Sequence, residues 1–137
     1  MHQIEDKNKI DCNLKIIIMP IKSFQELEVY QLSHALAMKI FFITNTFPSE
    51  EKYSLTDQIR RSSRSVAVNI AEGWGKRIYV NNFKKQLVDA NGSLEESKSW
   101  LLLSKDCSYI TNEQQDELFK EAETIGSKIW RLHERWK

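Results

Sequence analysis

A chain of 137 residues is long enough for one domain with a real core. Its 41% hydrophobic and 28% charged residues are ordinary for a soluble globular protein, and a net charge of +1 excludes a global field that would announce a nucleic-acid partner. Four glycines and two prolines argue against a turn-rich β protein and for long helices. Cys12 and Cys107 form no CxxC pair, so reduced thiols in a cytoplasmic protein are expected, with Cys107 a small core residue. No apolar run approaches the roughly 20 residues of a membrane span.

Residues 1–22 differ from the rest: polar, then the short apolar run Leu14 to Met19, then Pro20. They are expected to be a poorly ordered leader, with residues 23–137 as the folded domain. Ser23-Phe-Gln-Glu26 has the spacing of a capping box. The helix it opens should run to about Thr46, with Leu32, Leu36, Ile40, Ile43 and Phe47 on one face and Pro48 as its stop. After a short connection, Ser54 offers the cap of a second helix ending near Gly73.

The second helix is the most informative segment. At 100° per residue, Leu55, Ile59, Val66 and Ile70 share one face, while Gln58, Arg61, Ser65, Asn69 and Glu72 form a second stripe. Val68 and Ala71 lie on the far side, beside Arg60 and Arg64. A helix with two faces to cover needs a partner beyond its own core, so Val68 and Ala71 are expected to meet a second copy of the chain. Asn69 and Glu72, three residues apart, can form a polar network with Arg61 and Ser65, or contact a ligand.

Residues 60–85 hold seven basic side chains (Arg60, Arg61, Arg64, Lys76, Arg77, Lys84 and Lys85) against Glu72 alone. That is a surplus of +6; the remaining 13 basic and 18 acidic residues give −5. Trp74 and Tyr79 interleave with these cations, which suits single-stranded nucleic acid, with bases stacking on rings and cations meeting phosphates. A solvated basic face, with Trp74 packed over the bundle end, would produce the same pattern.

A third helix should start at Asn81 or Asn82 and reach about Cys107, its Phe83, Leu87, Ala90, Leu94, Ser97 and Leu101 spaced as a heptad seam. Thr111-Asn-Glu-Gln114 caps a fourth, whose Leu118, Ala122, Ile125, Ile129, Leu132 and Trp136 repeat that spacing. Four such helices with short loops predict an all-α, up-down-up-down four-helix bundle of left-handed packing.

Chemistry is hard to find. A bundle di-metal site needs Glu-x-x-His pairs, and none of His2, His34 and His133 has a Glu three residues before it. No elbow motif or Gly-rich loop surrounds His34 or His133, as a nucleophilic hydrolase would need, and Gly73-Trp-Gly75 lacks the strand and the Gly-Lys-Ser/Thr of a phosphate loop. The expectation is a non-enzymatic protein without metal or cofactor.

The chain resembles the four-helix bundle proteins encoded in 23S rRNA intervening sequences. The opening pattern is met by Phe24, Leu27, Val29, Tyr30 and Gln31, followed by Phe47, Pro48 and Glu51. Tyr53, Leu55, Gln58, Ile59, Arg60 and Arg61 come next, and then the signature Ser65, Val66, Asn69, Ile70, Ala71, Glu72 and Gly73. Phe83, Leu87, Ala90, Gly92, Ser93 and Glu95 or Glu96 complete it, over roughly residues 23–135. Ser62-Ser63-Arg64 departs from the small apolar residues usual there.

The resemblance implies a homo-oligomeric ring, typically a pentamer. It also implies kinship with the accessory variability determinant proteins of diversity-generating retroelements, which bind nucleic acid and partner a reverse transcriptase. Two functions are therefore expected to compete. One is a ring that binds RNA or DNA through its basic surface; the other is a scaffold ring that docks another protein, its cations paired with neighbouring acids.

Overall fold

The computed structural model describes residues 21–137. Among these there are four α-helices and no strands: α1 (Glu28–Ile43), α2 (Leu55–Gly75), α3 (Val80–Asp106) and α4 (Asn112–Arg135). Each helix packs on its neighbour in sequence, and α4 closes the bundle against α1. Direction follows from residue pairs. Ser62 meets Ser97 while Asn69 meets Gln86, and Lys98 lies over Phe119 while Phe83 meets Trp136, so both pairs run antiparallel. Lys39 with Glu121 and Glu28 with Lys128 give the same sense for α1 and α4.

The seams read from the sequence form the core. Phe83, Leu87, Ala90, Leu94, Ser97 and Leu101 of α3 are all buried, as are Leu118, Ala122, Ile125 and Ile129 of α4. Leu36 and Ile40 of α1 and Ile59, Val66 and Ile70 of α2 fill the space between them. Burying such side chains contributes roughly 2 kcal/mol each, which makes this seam the main source of stability.

The helix ends depart from expectation in instructive ways. Ser23 does accept from an amide, that of Gln25 at 3.1 Å, and Glu26 accepts from the Lys22 amide at 2.7 Å. They cap only a 3-10 turn, Phe24–Glu26, because Leu27 is extended and buried before α1 begins. At the start of α2 the Ser54 hydroxyl donates to Glu51 at 2.6 Å instead of capping. Glu51 takes over that task and accepts from the Leu55 amide at 3.1 Å. Helix α2 runs through Gly75, past the expected Gly73, and α3 starts at Val80. Thr111 forms the full capping box with Gln114.

Cys107 was expected in the core and is instead exposed, in the turn after α3. Cys12, His2 and most of the expected leader lie outside the described residues; Ile21 already packs on the core.

Candidate nucleic-acid interface

The signature segment of α2 is used mainly to hold α3. The Ser62 and Ser97 hydroxyls share a hydrogen bond of 2.8 Å, and Ser93 donates to the Ser65 hydroxyl at 2.9 Å. One turn further, the Asn69 amide donates to the carbonyl and hydroxyl of Ser65, both at 2.9 Å. Gln86 of α3, itself buried, donates to the Asn69 side-chain oxygen at 2.9 Å and to Glu72 at 3.3 Å. At the next turn there is no room for a side chain: a Cβ on Gly73 would sit 2.8 Å from Cβ of Gln86 and 3.1 Å from Phe83.

Small hydroxyls, one amide pair and a glycine thus let two helices approach closely while leaving few buried polar atoms unpaired. Of the expected polar stripe, Ser65, Asn69 and Glu72 belong to this network. Arg61 does not; it pairs with Asp57 at 2.9 Å, and Gln58 is exposed. Sequence reading missed Gln86 and Ser93 as their partners. The available signal was their position, seven residues apart beside an apolar seam.

The basic cluster does not stay together. Arg60 and Lys76 are 16 positions apart on one helix, so about 24 Å separates them at 1.5 Å per residue. Arg60 turns toward the end of α1, donating to the Thr44 hydroxyl at 2.8 Å and to Asn45 at 3.0 Å, its guanidinium 4.7 Å from the Phe41 ring. Arg64 lies 5.9 Å from the same ring. Arg60, Arg61 and Arg64 therefore belong to the side and far half of the bundle.

Trp74 is also displaced from its expected role. It is 7% exposed, and Arg77 covers it at 4.0 Å while donating to its carbonyl at 2.9 Å. A nucleobase cannot reach such a ring, so Trp74 is a core residue and not a stacking platform. Tyr79, in contrast, is 66% exposed, and Ile78 beside it 80%.

What the fold brings to this end comes from elsewhere in the chain. The Trp136 ring packs 4.6 Å from Phe83 and 6.1 Å from Trp74, which fixes the end of α4 beside the α2–α3 turn. Arg135 and Lys137, flanking Trp136, therefore join Lys76, Arg77, Lys84 and Lys85, with Arg131 one turn below. Across residues 72–89 and 131–137, seven cations face Glu72, Asp89 and Glu134, a net of +4. Lys76 pairs with Glu72 at 3.1 Å and Lys85 with Asp89 at 2.9 Å. Such exposed pairs contribute about 1 kcal/mol or less and open readily to a competing anion.

Residues 25–131 match the family described as 23S rRNA-intervening sequence protein. The chain belongs to this family. A solved family relative, a protein of unknown function from the S23 ribosomal protein family of Bacteroides thetaiotaomicron, is similar at 25% identity with a TM-score of 0.71. The match covers 77% of this chain and 95% of that one. No curated protein matches. The matched span ends before Arg135 and Lys137, so two cations of the basic end lie beyond it. Among the described residues no cluster of three or more potential metal ligands occurs, and no helix is long and apolar enough to cross a membrane.

Proposed function

We propose that this family member is a non-enzymatic, cytoplasmic homo-oligomer, a pentameric ring in the pattern its resemblance implies, that binds RNA or other nucleic acid through the basic end of its bundle. The observation that carries it is the meeting of cations from the ends of α2 and α4 and the start of α3 at one end of the molecule. The family description, which places its members in 23S rRNA intervening sequences, points the same way. Repeating a +4 end around a ring makes binding avid, and phosphate neutralisation makes it salt-dependent.

Assembly draws on the outer surface of α2, where Val68 is 60% exposed and adjoins half-buried Ala71. A ring interface would cover both. A reverse transcriptase is the protein partner that the resemblance to retroelement accessory proteins suggests.

The second function, a scaffold ring that docks another protein without touching nucleic acid, draws on the ion pairs that occupy Lys76 and Lys85. A gel-shift titration against structured RNA at several salt concentrations separates the two. Binding should weaken steeply with salt, and Lys76→Glu with Arg77→Glu should abolish it. A flat salt response, or unchanged affinity in the double variant, would leave the scaffold.

A further inference from the structure

We infer that the basic end takes an unpaired strand in preference to a duplex, with a base stacked on Tyr79. The inference rests on the nucleic-acid function proposed above and narrows it to a class of ligand. Tyr79 occupies the turn between α2 and α3, two residues from Arg77 and five from Lys84. Its ring meets no other ring and its hydroxyl has no partner among the described residues, and the neighbouring Ile78 is 80% exposed. Two large, largely apolar side chains therefore stand in water on a surface with a net positive charge.

Phosphates alone do not account for them. A duplex offers its outside, two backbones with the base faces hidden between them, and a phenol ring contributes little to such a contact. An unpaired strand offers both groups at once. Its phosphates can follow Lys76, Arg77, Lys84 and Lys85 while an open base lies flat on the tyrosine, and every base has a face to present, so the contact is sequence-tolerant. The buried Trp74 supports the ring from behind only indirectly: with Arg77 over it and Trp136 beside it, it fixes the end of α2 from which the turn departs.

The experiment is fluorescence anisotropy of the full chain with labelled short oligo(U), oligo(dT) and an oligo(dT)·oligo(dA) duplex, alongside light scattering. Both single strands should bind more tightly than the duplex at matched salt. Tyr79→Ala should weaken strand binding by about tenfold or more and leave the duplex nearly unchanged, while Tyr79→Phe should retain strand binding. Unchanged strand affinity in Tyr79→Ala overturns the stacking assignment, as does a shift in its oligomeric state, which would make Tyr79 a contact between subunits. If the variant binds every probe as the parent does, nucleic-acid binding stands and only the stacking on Tyr79 fails; a parent chain that binds the duplex as tightly as the strands overturns the strand preference. If the parent chain binds no probe, the nucleic-acid function itself fails.

Discussion

Gly73 and Gly92 both sit inside long helices, and their surroundings give them opposite behaviour. An added Cβ at Gly73 would press on Gln86 Cβ and Phe83, so α3 would have to move. Overpacking of this kind costs about 1–3 kcal/mol and outweighs the roughly 1 kcal/mol that alanine gains over glycine in a helix. At Gly92 nothing lies within 4 Å, and only the helix gain remains. Gly73→Ala should therefore lower the urea midpoint of unfolding while Gly92→Ala raises it; the same sign for both would contradict the close approach. Gln86→Ala should cost about 2 kcal/mol, since it empties a buried site and strips Asn69 and Glu72 of a donor. The motif residues Ser65, Asn69 and Glu72 were visible in the sequence as part of a polar stripe. Their partner was not, because one buried glutamine beside an apolar seam looks like any solvated position until the opposing helix is in place.

At the level of elements, the far end of the bundle is tied by one carboxylate. Glu51, from the connection before α2, accepts from Ser54, from the Leu55 amide and, at 2.8 Å, from the hydroxyl of Tyr109 in the connection before α4. The Ser54 bond, then those of Tyr109 and Leu55, hold the Glu51 carboxyl below its ordinary 4.5. Tyr109 is pushed up to about 12, first by its bond to Glu51. A depressed carboxyl stabilises the fold above its unfolded value and loses that contribution as pH falls through its folded one. The tyrosine works in the opposite sense, contributing below pH 10 and losing it as pH rises through about 12. Glu51→Gln should thus flatten the loss of stability on acidification below about pH 4.5, read as urea midpoints across pH. Parallel acid limbs in parent and variant would rule out the carboxylate tie. The heptad seams of α3 and α4 and the Thr111 box were legible because each is a local pattern. The caps at Ser23 and Ser54 were misjudged because the deciding acceptors, Glu26 and Glu51, serve a short turn and a cross-connection.

For the whole molecule, the exposed side of α2 makes the assembly testable. Val68→Glu places a charge where a subunit contact would be dry, at a penalty of about 3 kcal/mol or more. Size-exclusion chromatography with light scattering should then report monomers or aggregates. An unchanged particle mass would place the interface elsewhere, and a parent chain that is itself monomeric would remove the ring. The sequence suggested a basic segment, and the fold redistributes it. Helical rise carries Arg60 and Arg61 to the far half, and Arg60 is held there by Thr44, a residue on another helix. Arg135 and Lys137 reach the basic end only because α4 returns to it, and no local pattern encodes a return.

The tight seam between α2 and α3 has a dynamic counterpart. Helix α4 packs on α3 less extensively, and a groove of about 250 Å³ lies between them, lined by Asn91, Gly126 and Trp130 among others. The backbone amides of the clamped pair should exchange with heavy water last, and α4 should peel away first in partial opening events. Its terminal arginine and lysine would leave with it, so an anion grasped at that end would act as a fastener, slowing exchange throughout α4 from a distance.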